Sequence, residues 1–235
     1  QRLPVIAQRR NRARDGEHAV GHHQRALART EVFPDLPLQV FRVPVSGGAV
    51  EQVTRGLRSL QGFSTSADGG AMAYTGSDAT HPVELFVAGA DGSGERKLTT
   101  FNDAYVAATA LVPVDTLWFR GVGNLRIEGW LMKPAGWEPG RRYPLVLSIH
   151  GGPHSSYGNG YFHEFQMLAG QGYWVLITNP RGSTGYGHGF TYASRGRWGM
   201  EDYQDLMKAV DEAIRRTGQV DTTRLAVLGG SYGGF

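Results

Sequence analysis

Residues 229–234 read Gly-Gly-Ser-Tyr-Gly-Gly, directly after an apolar run. The spacing G-x-S-x-G in that context describes a strand, a sharp turn and a helix start. Glycines on either side of Ser231 let the backbone turn without Cβ clashes. Such a turn lifts the Ser231 hydroxyl clear of the sheet edge, where a base and a carbonyl can reach it. The chemistry is nucleophilic attack on that carbonyl, which needs N–H donors where negative charge develops on oxygen. One donor is the N–H of the residue after the serine, Tyr232, and the second comes from an H-G-G type loop after an earlier strand. His150-Gly151-Gly152-Pro153 follows an apolar run that closes at Ile149 and supplies such a loop. A chain with 34 Gly among 235 residues produces G-x-S-x-G by chance, and the plain alternative is a glycine-rich turn with an inert serine. Strand context and the paired loop give the motif its weight.

The elements that must hold these residues are legible over 113–235. Residues 116–120 and 125–132 read as an antiparallel pair about a Gly-rich turn at 121–124. Residues 144–149, 173–178 and 224–228 are continuous apolar runs, expected for strands buried on both faces. Residues 161–170 suit a helix, with Phe162, Phe165, Leu168 and Ala169 at helical spacing. Residues 201–216 form an amphipathic helix with Tyr203, Leu206, Met207, Val210 and Ile214 on one face. Acids early and Arg215-Arg216 late match its macrodipole, and Gly218 stops it. Strands alternating with helices predict a doubly wound parallel sheet.

Residues 31–112 read as an all-β meander with Asp-Gly and Gly-Gly turns. Residues 40–54 and 85–99 rhyme: strand, Gly-rich turn, charged residues, then a hydrophobic-Thr ending, at a spacing of 45. That spacing falls in the ~40–50 range of propeller blades, and about two blades fit, the last of a longer propeller. Residues 1–30 carry seven Arg against Asp15 and Glu17, a net of +5 in a chain of net +3. Without interleaved aromatics this segment reads as an unassigned terminus rather than a nucleic-acid arm.

Taken together, HGGPH (150–154), NPRGSTGYG (179–187), RWGMEDYQDL (197–206) and GGSYGGF (229–235) resemble the prolyl oligopeptidase family of serine peptidases, in its acylaminoacyl-peptidase and dipeptidyl-aminopeptidase-like branch. The resemblance covers about residues 36–235 and implies a fold: an α/β-hydrolase domain, here its N-terminal half, preceded by a partial β-propeller. It implies Ser231 as the acylating nucleophile and the Gly152 and Tyr232 amides as the oxyanion hole. For His150 it leaves two roles open, assistance to the oxyanion or shaping of the loop. Arg181 is a candidate substrate contact, or a residue that holds its loop through hydrogen bonds. Trp198 and Tyr203 are expected to pack, and Asp202 and Asp205 to serve as helix N-terminal acids. Short or N-acylated peptides are the implied substrates, with a carboxylesterase or a non-catalytic interaction module as alternatives.

The chain order of this chemistry is Ser, then Asp or Glu, then His. Four residues follow Ser231, so the triad acid and base are expected beyond Phe235 and the chain is read as incomplete and poorly active alone. The edge beside strand 224–228 predicts association, a homo-oligomer among the options. No cofactor is implied, and the histidines lack metal-ligand spacing. Zero Cys excludes a disulfide scaffold and a thiolate site. No apolar run approaches the ~18 residues of a membrane helix. The basic start has no apolar core of a secretory signal, so neither a membrane nor a nucleic acid is expected as partner, and residence is read as cytoplasmic.

Overall fold

The computed structural model of the chain describes residues 5–8, 39–45 and 47–235, which form three sheets and four α-helices. β1 (Val5–Gln8), β2 (Val40–Val43) and β3 (Glu51–Gln52) make a three-stranded antiparallel sheet. β4 (Ser59–Thr65), β5 (Ala71–Ser77), β6 (Glu84–Gly89) and β7 (Arg96–Lys97) make a four-stranded antiparallel meander. Val40, Leu60, Met72 and Tyr74 are buried between them. Residues 5–8 lie inside the segment that the sequence assigned to no element, yet they pair with β2. The arginines of that segment lie outside the described residues.

The 45-residue rhyme is a structural repeat. Phe41 pairs with Gln52 and Arg42 with Glu51; Phe86 pairs with Lys97 and Val87 with Arg96, each 45 positions on. The closing bonds repeat as well. Val53 N donates to Val40 O at 2.9 Å and Leu98 N to Leu85 O at 2.7 Å. Thr54 Oγ1 accepts from Val40 N at 2.8 Å, and Thr99 Oγ1 accepts from Leu85 N at 2.9 Å. Each threonine hydroxyl then donates to a buried side chain, Gln39 in one copy and Glu84 in the other. The hydrophobic-Thr ending is thus a clasp: the hydroxyl satisfies a buried amide and a buried acceptor at once, where an unmade bond would cost ~1–3 kcal/mol. Among the described residues no sheet closes on itself.

α1 (Asp103–Ala108) leads into the second part of the chain. Its strands are β8 (Val114–Arg120), β9 (Arg126–Met132), β10 (Tyr143–Ile149), β11 (Trp174–Asn179) and β12 (Val220–Gly229), with helices α2 (His163–Gly170), α3 (His188–Tyr192) and α4 (Glu201–Thr217). The sheet order is β12-β10-β11-β9-β8. β10 runs parallel to both neighbours, while β9 and β8 are antiparallel, so the sheet is mixed rather than wholly parallel. Alternation along β11 shows why both faces are covered. Trp174 and Leu176 join the cluster beneath α4, whereas Val175 and Ile177 join the cluster beneath α2, with Phe165 and Ala169. The result is a three-layer α/β/α arrangement. The side chain of Gln166 ties it to the meander: Nε2 donates to Ala79 O and Val112 O, and Oε1 accepts from Val112 N, each at 2.8 Å.

Two expectations are corrected. The apolar run 224–228 is not buried on both faces: β12 is the edge strand, with Leu225 46% and Val227 66% exposed. It pairs on one side only, with β10, in the described residues. The buried face of α4 is also rotated from the predicted one. It carries Asp202, Asp205, Leu206, Ala209 and Ala213, whereas Tyr203 and Met207 are exposed. The reason is polar: both acids have partners inside, so the helix turns them inward. α1 and α3, six and five residues long, were not anticipated. Gly218 ends α4 in the left-handed conformation, as expected.

Candidate active site

The sheet register brings the two motifs together. β10 and β12 are parallel neighbours, and Ile149 lies opposite Gly229 at their C-terminal ends. The loop after each strand therefore emerges side by side, and the connection from β10 passes through α2 on one face of the sheet while that into β12 passes through α4 on the other. Ligands in open α/β sheets bind at such a switch point. The contact is close: a Cβ placed on Gly151 would lie 3.4 Å from Ser231 Cβ.

Ser231 has φ +58°, a left-handed conformation that a non-glycine residue holds only when its surroundings impose it. The flanking glycines show what imposes it. A Cβ on Gly233 would meet Ile149 O at 2.1 Å, and one on Gly229 would meet Gly233 O at 2.3 Å. The turn is pressed against the end of β10 with no room for a side chain. Ser231 is exposed, and residues 231–234 continue as a 3-10 turn. Gly152, at φ +131°, is exposed in the facing loop. A Cβ there would fall 2.6 Å from His154 N.

His150 is buried, with Nδ1 2.7 Å from Gly151 O and Nε2 2.9 Å from Ser183 Oγ. The carbonyl partner places a proton on Nδ1, and the Ser183 hydroxyl beside Nε2 donates to Pro180 O at 2.7 Å. Nδ1 thus meets the carbonyl of its own loop, and Nε2 joins residue 150 to the loop after β11. Further bonds join these loops: Thr184 N donates to Ser155 O at 2.8 Å and Tyr157 N to Asn179 Oδ1 at 2.8 Å. Asn179 Nδ2 donates to the Tyr186 hydroxyl at 2.7 Å, and that hydroxyl donates to the buried Glu128 carboxylate.

Burial holds the His150 pKa below its ordinary 6.5, against the bond to Gly151 O. The unfolded chain takes a proton near pH 6.5 that the folded chain refuses. The resulting stability is fully present above that pH and is lost as pH falls below it. Thermal melts from pH 7 to pH 5 are expected to show a steeper loss of Tm in the parent than in His150→Gln; equal slopes would count against it.

Arg181 donates Nε to Asp205 Oδ2 at 2.6 Å, Nη2 to Asp205 Oδ1 at 3.0 Å, and Nη2 also to Val122 O at 2.8 Å. Asp205 is fully buried and accepts from Val122 N at 2.9 Å as well. A Cβ on Gly121 would lie 2.3 Å from Asp205 Oδ1, so the turn after β8 closes directly on this pair. Arg181 therefore joins its loop to α4 and to the turn after β8.

Asp202, 1% exposed, accepts from the Tyr232 hydroxyl, from Gly199 N at 3.2 Å and from Tyr203 N at 3.0 Å. Tyr232 is buried, its ring 5.1 Å from that of Trp198 in an edge arrangement. Burial, then the hydrogen bond to Asp202, push the phenol pKa well above its ordinary value, so it remains a donor. The sequence alone presents Asp202 and Asp205 as helix N-terminal acids. The available signal was their spacing with Leu206, Ala209 and Ala213, which sets all five on one stripe.

An α/β sheet with a left-handed serine after one strand and a glycine loop after its neighbour is the framework of a serine hydrolase. Residues 159–235 match the model of the prolyl oligopeptidase family, and the resemblance seen in the motifs stands as that of a relative of these peptidases. Over 144 residues the chain is 50% identical to the uncharacterized peptidase YuxL of Bacillus subtilis, covering 61% of this chain and 22% of that protein. Over 124 residues it is 39% identical to a probable dipeptidyl-peptidase 5 of Emericella nidulans, covering 52% and 17%. The acylaminoacyl peptidase of Pyrococcus horikoshii superposes with a TM-score of 0.77 at 30% identity, over 86% of this chain and 31% of that one. The chain thus spans about a fifth of these curated relatives. Among the described residues no helix is long and apolar enough to cross a membrane.

Proposed function

We propose that this chain carries the acylation site of a serine peptidase acting on short or N-acylated peptides. Ser231 Oγ attacks the scissile carbonyl carbon, forming the ester bond of an acyl-enzyme. Its proton passes to a general base and then to the amine that leaves as the C–N bond breaks. The Tyr232 and Gly152 amides donate to the oxygen that becomes negative. In the chain order of this chemistry the acid and base follow the serine. The observation that carries the reading is the left-handed φ of an exposed Ser231 within van der Waals reach of the glycine loop. The printed names of the relatives, acylaminoacyl peptidase and dipeptidyl-peptidase 5, support peptides as the substrate class.

The matched hairpins at 40–54 and 85–99 support a second element of the proposal, that β2–β7 are strands of propeller blades. A propeller beside the site would restrict access to short peptides.

The test uses the full-length protein that carries this sequence. Peptide p-nitroanilides with free and acetylated N-termini, a simple p-nitrophenyl ester and a fluorophosphonate probe are assayed together. Peptide turnover with labelling at Ser231 is expected. Ester turnover alone would assign a carboxylesterase, and absence of labelling would assign a non-catalytic module.

A further inference from the structure

The geometry points to Asp202 as a positioning residue for acyl transfer, acting through the Tyr232 side chain on the Tyr232 amide; this rests on the reading of Ser231 as nucleophile. A buried carboxylate is costly unless its bonds are made. Helix packing gives no reason for one here, because Ala209 and Ala213 fill equivalent positions on the same stripe of α4. Arg181 does not explain it either, since its guanidinium bonds to Asp205. What Asp202 does hold, apart from two backbone amides, is the phenol of the residue that follows the nucleophile.

Tyr232 has to be held. It follows a residue in a sparsely populated conformation, and such strain relaxes unless the surroundings over-determine it. Three contacts restrain it: the Asp202 carboxylate at the phenol, Trp198 at the ring, and Phe235 N, which donates to Tyr232 O at 3.1 Å. An oxyanion donor acts only if its N–H already points where the charge will appear, and a 1 Å misplacement costs on the order of 10²-fold in rate. The carboxylate end of this brace is buried and stays with α4, so the elbow is registered against a helix rather than against its own loop.

The full-length protein carrying Asp202→Ala, Asp202→Asn or Tyr232→Phe tests this. Asp202→Ala and Tyr232→Phe are expected to lower kcat by ~10- to 100-fold with KM within about twofold, because the lost interaction belongs to the transition state. Affinity for a peptidyl trifluoromethyl ketone should fall in the same proportion. Asp202→Asn, which keeps an acceptor oxygen, should recover part of the loss. The double variant Asp202→Ala/Tyr232→Phe should be no worse than either single one, since both remove one bond. Normal kcat and normal ketone affinity in Asp202→Ala would overturn the inference. If that variant has no cooperative melt, Tyr232→Phe decides: a folded protein with full kcat overturns it equally. Ser231→Ala separates the two levels. Retained turnover there sinks the peptidase reading itself, whereas its loss beside an unaffected Asp202→Ala sinks only the role of Asp202.

Discussion

Ser231→Ala is expected to abolish acyl transfer in the full-length protein, lowering kcat on the order of 10⁶-fold, as loss of the nucleophile does in serine peptidases. The fold should be retained, because the Ser231 side chain is exposed and its removal leaves no cavity. A residual rate above that of water, ~10³–10⁴-fold, would mark the oxyanion donors and substrate binding that remain. Steady-state turnover and fluorophosphonate labelling measure this directly. A variant that still labels or turns over normally would place the nucleophile elsewhere.

The second large effect falls on stability. Asp205→Ala leaves Arg181, whose side chain is only 12% exposed, without its carboxylate. Breaking one side of a buried pair costs ~3–5 kcal/mol, and for a domain of this size each kcal/mol lowers Tm by roughly 2–4 °C. A fall of about 6–20 °C is therefore expected in calorimetry. Arg181→Met with Asp205→Leu should lose less than Asp205→Ala alone, because no charge is then left unpaired. If the two proteins melt together, the pair does not carry the junction of α4 with the 121–122 turn.

The parts of the fold that were legible in the sequence are those governed by periodicity. Runs such as 144–149 and 173–178 mark strands because their side chains must alternate between two covered faces, and β10 and β11 fall within a residue of those bounds. The serine and its loop were legible because glycine is required where backbones touch, as at Gly229 and Gly233. The buried carboxylates were not. Asp202 suits the helix dipole and an internal partner at once and Asp205 follows a turn later, so a local rule accounts for both before the tertiary one can. Glu128, an acid within the strand run RIEGWLM, is a plainer case: its partner Tyr186 lies 58 residues away and no local pattern points to it. Burial of β12 was read from composition, yet burial depends on neighbours. The short helices α1 and α3 span too little chain for a period to show.

The left-handed backbone at position 231 also limits which nucleophiles this scaffold can carry. A β-branched side chain is a genuine outlier at positive φ, so threonine, though an alcohol of similar reactivity, is not interchangeable with serine at this turn. Cysteine, unbranched at Cβ, would meet no such barrier. The choice of reactive atom is therefore filtered by torsion before it is filtered by electronics, and any redesign of the site toward another chemistry has to pass that filter first.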